Sequence, residues 1–379
     1  MPDPLSPDPR VAGADCATRR EILQQPATLR ATLALLSERR VEIEAFLGPL
    51  LAQPEMRIIL TGAGTSAFIG ESLAPWLSMV LGRAVESIPT TDLVSAPALY
   101  LRAGTPTLLV SFGRSGNSPE SVAAIAAADR MIGSVDHLIM TCNADGALAR
   151  CGGSAGLVLV LPEATHDRGF AMTSSFTAMM LTALALFEGI PRLETRIEAI
   201  AGSVADMAAG AQPHIARLAA RRFKRAVFLG SGVFKGLARE AALKMLELTD
   251  GAVVAAFDST MGFRHGPKTI VNADTLIVLF VSNDPLTSRY DRDMIAELRR
   301  DGACGAVVGI SAGEGAAETI ALRDMSTAAD VDLLFAYIVP AQLLALETSQ
   351  LLGLDPDRPN AAGTVNRVVQ GVTIHGVGA

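Results

Sequence analysis

Four strand-like segments in the first half of the chain reappear in the second half at a constant spacing of 168 residues. The paired segments are residues 57–62 and 225–230, 84–86 and 252–254, 107–110 and 275–278, and 137–140 and 305–308. A repeat at a single offset indicates two copies of one structural unit. Continuous apolar strands that alternate with helical stretches are typical of a parallel sheet covered on both faces. The repeat therefore predicts two tandem doubly wound parallel-sheet α/β domains. All four pairs of strands align at this offset without an insertion or deletion.

The repeat also divides the chain into regions. Residues 1–16 are rich in Pro and Asp, and we expect a disordered lead-in there. Residues 17–49 have the apolar spacing of helices and predict an N-terminal helical segment. The first sheet domain is expected over residues 50–212. The second is expected over residues 213–379 and includes a C-terminal tail.

Composition excludes several classes of protein. The chain has 379 residues, 50% of them hydrophobic, and a net charge of −7, so it can bury sizeable cores but lacks the basic surplus that nucleic-acid or membrane-surface binding requires. The four cysteines have no CxxC spacing, and no histidines and carboxylates have ligand spacing, so we predict no metal site. The chain starts with prolines and aspartates instead of a signal peptide, and no run approaches the ~18 uninterrupted apolar residues of a membrane helix. We expect a soluble cytoplasmic protein.

A turn rich in hydroxyl groups and glycine follows the third predicted strand. Residues 111–118 read Ser-Phe-Gly-Arg-Ser-Gly-Asn-Ser and precede a helix that starts with Pro119. Backbone N–H groups, hydroxyls and the positive end of a helix dipole meet at such a position, which favours a bound anion. A simpler interpretation is that Ser118 only caps the helix. We predict a phosphate site, with these candidate residues: Arg114, Ser115, Gly116, Asn117 and Ser118.

The second copy of this turn has a different chemistry. Residues 282–285 read Ser-Asn-Asp-Pro, so the glycine is missing and a carboxylate is present. We therefore expect that the first copy keeps the anion site and that the second copy has lost it.

The first strand leads into Gly62-Ala63-Gly64-Thr65-Ser66-Ala67, a GxGxxA turn, with Glu86 at the end of the next strand. This arrangement also suggests a dinucleotide site. The second copy places Lys235 where that fingerprint requires a small residue. We favour the hydroxyls of Thr65 and Ser66 as ligands of a phosphate monoester over a nicotinamide or flavin cofactor.

The second half carries candidates for acid and base chemistry. Glu240, Lys244 and Glu247 share one helix face, which fits either a solvated salt-bridge stripe or a partly buried base. Because apolar residues surround the stripe, Glu247 is a candidate base, and Lys244 lies one turn away to tune it. His265 lies between Arg264 and a Gly-Pro turn, and a histidine in a loop is a candidate functional residue.

Together these motifs resemble the tandem sugar isomerase (SIS) domain proteins, in a layout similar to the isomerase half of glucosamine-6-phosphate synthase. More closely, the chain resembles the AgaS-type galactosamine-6-phosphate deaminase/isomerases, which are also called tagatose-6-phosphate ketose/aldose isomerases. The resemblance covers nearly the whole chain after residue 17. The segments that carry it are residues 17–26, 61–72, 89–95, 109–121, 167–177 and 364–374.

The resemblance implies roles for the candidates. It assigns the sugar phosphate to residues 114–118 and Ser66, proton transfer to Glu247 beside Lys244, and ring opening to His265. It further implies a homodimer in which the partner subunit supplies this histidine. No cofactor is implied, because a proton next to an imine or aldehyde is already acidic. The lysine that contacts the open sugar in the synthase falls near Gln370 here, which favours degradation of an amino sugar over its synthesis.

The resemblance therefore implies a deaminating isomerisation of galactosamine 6-phosphate to tagatose 6-phosphate and ammonia. Three alternatives stay open: an aldose/ketose isomerase of unaminated sugar phosphates, a glucosamine-6-phosphate deaminase, and a sugar-phosphate-sensing regulator. The sequence shows no DNA-binding helix pair fused to either predicted domain, which disfavours the regulator.

Overall fold

A computed structural model of the chain describes residues 15–151, 156–313, 319–369 and 371–375. Most of the expected lead-in and Gln370 therefore lie outside the described residues. The strands are β1 (Arg57–Thr61), β2 (Val85–Ser87), β3 (Thr107–Gly113), β4 (Val135–Thr141), β5 (Gly156–Val160), β6 (Arg225–Gly230), β7 (Val254–Asp258), β8 (Thr275–Phe280), β9 (Ala306–Ser311) and β10 (Thr319–Ala321). The helices are α1 (Ala17–Leu23), α2 (Gln25–Glu38), α3 (Arg40–Leu51), α4 (Thr65–Leu81), α5 (Thr90–Ser95), α6 (Pro97–Tyr100), α7 (Pro119–Met131), α8 (Ser174–Glu188), α9 (Ile190–Glu194), α10 (Ile197–Ala220), α11 (Phe234–Leu248), α12 (Pro285–Asp301) and α13 (Asp330–Leu351).

The strands form two parallel five-stranded sheets with the same order. The first sheet runs β2-β1-β3-β4-β5, and the second runs β7-β6-β8-β9-β10. In each copy the strand order reverses between the first and third strands, which is the topological switch point. Ligands of doubly wound sheets bind beyond the carboxyl ends of the strands at this point. The predicted fold class, two doubly wound parallel-sheet domains with N-terminal helices, is confirmed.

The hydrogen-bond register corrects one detail of the repeat. Ile58 pairs with Val85, whereas Ala226, 168 positions after Ile58, pairs with Ala255, 170 positions after Val85. The fourth strands show the same two-residue shift, because Leu108 pairs with Asp136 while Leu276 pairs with Ala306. The offset of 168 holds for the two central strands, and the gap-free alignment was wrong for their neighbours.

The chain separates into two compact units, each built around one sheet. One unit comprises the described residues of Ala27–Asp167, Ser174–Ile197 and Val365–Ala379 and contains the first sheet. The other comprises those of Met1–Pro26, Arg168–Thr173 and Glu198–Thr364 and contains the second sheet. The domain boundaries expected from the repeat stay a prediction.

Equivalent helices complete the cores of the two units. In the first, α7 contributes Ala124 and Ala128 to a buried cluster with the strand residues Ile59 and Leu109. In the second, α12 contributes Met294 and Leu298 to a cluster whose strand residues include Val227, Leu229, Ile277 and Leu279. The turns that precede α7 and α12 are therefore fixed to the carboxyl edges of their sheets by packed helices.

The glycine that ends the first strand of each copy is required by close packing. A Cβ at Gly62 would lie 2.6 Å from Cβ of Ser66, and a Cβ at Gly230 would lie 2.6 Å from Cβ of Phe234. In each copy the first turn of the following helix lies directly on the end of the strand. The shared GxG pattern thus has a packing reason that is independent of any nucleotide.

Helix α13 is long and apolar enough to cross a membrane by length and composition alone. However, 94% of its most apolar window is buried inside the protein. That burial is typical of the core helix of an α/β unit.

Candidate active site

The serine turn, residues 114–118, connects β3 to α7 at the carboxyl edge of the first sheet. Gly116 has φ +62°, a conformation that side chains rarely adopt, and its backbone oxygen accepts a hydrogen bond from Leu148 N at 2.8 Å. The loop before Leu148 also holds the turn, because Asn143 Nδ2 donates to Ser115 O at 2.8 Å and Ala147 N donates to Asn117 Oδ1 at 3.0 Å. The backbone of the turn is therefore fixed, and the side chain of Asn117 takes part in fixing it.

Two hydroxyl groups of the serine turn lie at partly exposed positions. Ser115 and Ser118 are half-buried. Ser118 occupies the N-cap position of α7 but does not cap it, and its hydroxyl instead donates to Glu120 Oε2 at 2.6 Å. The interpretation that Ser118 only caps the helix is therefore not supported, because its hydroxyl makes no capping hydrogen bond.

In the second copy, the N-terminus of the equivalent helix α12 is occupied by a carboxylate of the protein itself. Asp284 caps α12 by accepting hydrogen bonds from Leu286 N at 3.1 Å and Thr287 N at 2.8 Å. These backbone hydrogen bonds, that from Thr287 first, lower the pKa of Asp284. An anion in solution would have to compete with this attached carboxylate, which gives a physical reason for the expected loss of the anion site in the second copy.

Two further carboxylates occupy the carboxyl edge of the second sheet. Asp291 is fully buried and accepts hydrogen bonds from Ser282 N at 3.0 Å and Thr260 Oγ1 at 2.7 Å. Asp330 accepts from the hydroxyl of Ser282 and from Asn283 N at 2.7 Å. Burial is the main cause that raises the pKa of both aspartates. Ser282, Asn283 and Thr260 thus donate their hydrogen bonds to carboxylates of the protein itself.

Arg114 has a structural partner within the first unit. Its side chain is buried, and Nη2 donates to the backbone oxygen of Arg367 at 2.9 Å. The guanidinium of Arg367 in turn donates to the backbone oxygen of Asp167. Arg114 therefore anchors part of the C-terminal segment, and its assignment as a phosphate ligand stays a prediction.

Thr65 and Ser66 open α4 directly after β1, the strand adjacent to β3. The structure therefore brings these two residues and the serine turn to neighbouring strand ends, although both side chains are buried. Glu86, the acidic residue of the dinucleotide interpretation, is bound by Arg57, with Nε 2.5 Å and Nη2 2.8 Å from its carboxylate oxygens. A carboxylate held by an arginine on both oxygens is a poor partner for a ribose hydroxyl.

The acidic and basic residues of α11 form a buried ion cluster. Lys244 Nζ contacts Glu247 Oε2 and lies 3.4 Å from Glu240 Oε1. The side chains of Lys244 and Glu240 are 0% exposed, whereas that of Glu247 is 24% exposed. The solvated-stripe interpretation is therefore wrong, and within this cluster Glu247 is the carboxylate that solvent reaches.

His265 lies in a turn between two short 3-10 helices, Gly262–Arg264 and Pro267–Ile270, that follow the carboxyl end of β7. The histidine is exposed, whereas Phe263 is buried in the core cluster of this unit. Among the described residues, no hydrogen bond or ion pair connects His265 with Glu247. The structure thus joins Lys244 to Glu247 and leaves His265 on a separate, exposed loop.

Sequence reasoning missed two carboxylates at these positions. The sequence gives Glu240 no role beside Lys244 and Glu247, and only its complete burial shows that it belongs with Lys244. Glu297 of α12 binds Arg264 and Lys268, on either side of His265. It lies 33 positions from Arg264, so no local motif indicates the contact.

A doubled sheet of order 2-1-3-4-5, with hydroxyl-rich turns at the carboxyl edge of the first sheet, is the doubly wound architecture expected from the resemblance to tandem SIS-domain proteins. The SIS domain family matches residues 50–189, which contain the first sheet. A crystal structure of tagatose-6-phosphate ketose/aldose isomerase from Escherichia coli superposes with a TM-score of 0.87 at 42% identity, over 99% of this chain and 100% of that one.

Curated relatives extend the match over almost the whole chain. D-galactosamine-6-phosphate deaminase AgaS of Escherichia coli is 45% identical, over 97% of each chain. An AgaS protein of Streptomyces coelicolor is 49% identical, over 94% of this chain and 95% of the relative. The chain therefore belongs to the AgaS family of SIS-domain proteins, as the resemblance predicted.

Proposed function

We propose that this protein converts galactosamine 6-phosphate and water into tagatose 6-phosphate and ammonia. The observation that carries the proposal is the 45% identity, over 97% of both chains, to D-galactosamine-6-phosphate deaminase AgaS of Escherichia coli. The candidate phosphate-binding residues follow the carboxyl ends of β1 and β3, the candidate base lies near the C-terminal end of α11, and the candidate acid lies in the loop after β7. This combination favours an enzyme over a sugar-phosphate-sensing regulator.

The proposed reaction starts with ring opening. His265 protonates the ring oxygen as the bond between C1 and that oxygen breaks, and the anomeric hydroxyl gives its proton to water, which leaves the open-chain aldehyde. Glu247 then takes the proton from C2, and return of a proton to C1 gives a ketimine through an enolamine. Water adds to the ketimine carbon and ammonia leaves, so that a ketone stands at C2. The route needs no cofactor, because the proton next to the carbonyl is acidic enough once the base is positioned.

Lys244 and the serine turn have supporting roles in this proposal. The ammonium of Lys244 contacts the carboxylate of Glu247 and fixes its orientation. Ser66, Ser115, Asn117 and Ser118 hold the phosphate, which ties the substrate to the protein at the end remote from the reacting carbons. Each hydrogen bond to a phosphate contributes about 1.5–3 kcal/mol, so a few suffice for a small metabolite.

A plain aldose/ketose isomerase is the second candidate. It is favoured by the name of the Escherichia coli crystal structure, a tagatose-6-phosphate ketose/aldose isomerase at 42% identity. The same base and acid would interconvert an unaminated aldose and ketose without loss of ammonia.

We further propose that the protein acts in the cytoplasm as a homodimer, with His265 supplied to the partner's site. The exposed position of His265 and of its neighbour Met261, whose exposure is 44%, supports an interface at this loop. Sedimentation of the purified protein tests the assembly, and a monomer at working concentration would contradict it.

A substrate panel tests the reaction itself. Purified protein is assayed for ammonia release and ketose formation with galactosamine 6-phosphate, glucosamine 6-phosphate, their N-acetyl forms and tagatose 6-phosphate. We expect ammonia with galactosamine 6-phosphate at a rate well above the others. Interconversion of tagatose 6-phosphate with its aldose, without ammonia from any amino sugar, would favour the plain isomerase, and binding without turnover would favour the regulator.

A further inference from the structure

The turn that carries His265 is held from outside by carboxylates of α12. Arg264 Nε lies 2.8 Å from Glu297 Oε2, and the ammonium of Lys268 binds Glu297 Oε1. Lys268 Nζ also lies 2.6 Å from Asp301 Oδ2. A single glutamate thus binds one cation that precedes the histidine directly and another that follows it by three residues.

These ion pairs contribute little to overall stability. The side chains of Glu297 and Lys268 are 22% and 28% exposed, and ion pairs near the surface each stabilise a fold only slightly. Glu297 nevertheless has a lowered pKa, caused by its hydrogen bonds to Lys268 and then Arg264. It is therefore bound as the carboxylate over the neutral range, and its effect on the loop is chiefly geometric.

The backbone of the turn needs such an external restraint. Its two 3-10 helices are three and four residues long, and Gly266 between them has φ +121°. On the inner side, Phe263 is 1% exposed and packs in the core. On the outer side, Glu297 fixes Arg264 and Lys268. His265 therefore lies between an apolar anchor and an ionic anchor.

We propose that Glu297 is a positioning residue for His265, acting through Arg264 and Lys268. The inference rests on the proposed role of His265 in ring opening. Without Glu297, the turn would keep Phe263 as its inner anchor, but Arg264 would lose its carboxylate partner and Lys268 would be left with Asp301 alone of its two carboxylates. A misplacement of about 1 Å in a reacting group can reduce the rate about 100-fold, so even partial loosening has a measurable effect.

Two kinetic measurements test the proposal. E297A should lower kcat about tenfold and leave KM within about twofold, because the phosphate contacts are not altered. E297D keeps the charge on a shorter side chain and should recover part of kcat. The matched control is D293A, which removes an exposed carboxylate one turn earlier on the same helix and should leave kcat unchanged.

Ring opening is measured separately in protein that carries E247Q, which blocks proton transfer. Magnetisation exchange between the two anomers of galactosamine 6-phosphate then reports ring opening alone. E247Q/E297A should slow this exchange about tenfold relative to E247Q, while E247Q/D293A should not. An unchanged exchange rate in E247Q/E297A, with exchange abolished in E247Q/H265N, would overturn the role of Glu297. An unchanged rate in E247Q/H265N would instead overturn the ring-opening role of His265.

Discussion

Replacement of Lys244 by methionine removes a buried positive charge from between two carboxylates of α11. Lys244 and Glu240 are both 0% exposed, and their charged atoms lie 3.4 Å apart. Methionine fills nearly the same volume but leaves Glu240 as a carboxylate without its buried cation. Breaking a buried ion pair in this way costs about 3–5 kcal/mol. We expect K244M to lose that amount of unfolding free energy in urea denaturation.

A double variant separates stability from catalysis. In K244M/E240M both buried charges are replaced by apolar groups, a change that is often neutral or stabilising. We expect K244M/E240M to regain most of the lost unfolding free energy but to remain nearly inactive, because Glu247 still lacks the ammonium that orients it. A loss of under about 1 kcal/mol in K244M would refute the buried cluster. Full activity of the double variant would refute the role of Lys244.

Two further predictions concern other parts of the molecule. S115A and S118A should each raise KM about 10- to 100-fold with little change in kcat, since each removes a hydrogen bond to phosphate worth about 1.5–3 kcal/mol. The control is S288A, in the matching helix of the second copy. A fall in kcat at unchanged KM would contradict the assignment of these serines to phosphate binding. Burial raises the folded-state pKa of Asp291, so the stability that its protonation contributes is present at low pH and is lost as pH rises through that pKa. The difference in unfolding free energy between wild type and D291N should therefore grow as pH falls from 7 towards 4, and a constant difference would contradict the burial of this carboxyl.

The fold was predictable because a repeat of apolar strands at one spacing can be recognised from the sequence alone. Two matched pairs of central strands, β1 with β6 and β3 with β8, are sufficient to establish the doubled sheet. The two-residue shift of their neighbours was not visible, since insertions in connecting loops leave the apolar pattern of a short strand unchanged. Sequence periodicity thus determined the architecture, whereas hydrogen bonding determined the register.

The candidate site was predictable only where its residues are local in sequence. The serine turn and the spacing of Lys244 and Glu247 could be read along the chain. The contact of Arg114 with the backbone of Arg367 spans 253 positions and depends on where the C-terminal segment lies. In the sequence, Glu297 cannot be distinguished from the other charged residues of an amphipathic helix. Its contact with Arg264 exists only in the folded protein.

The proposed chemistry depends on Glu247 as the proton-transfer base. The most direct test is ammonia release from galactosamine 6-phosphate by wild-type protein and by E247Q, with binding of a sugar-phosphate ligand measured on both. We predict that E247Q loses ammonia release by about 100-fold or more while its affinity for the ligand stays within about threefold. Ammonia release by E247Q at the wild-type rate would contradict the account.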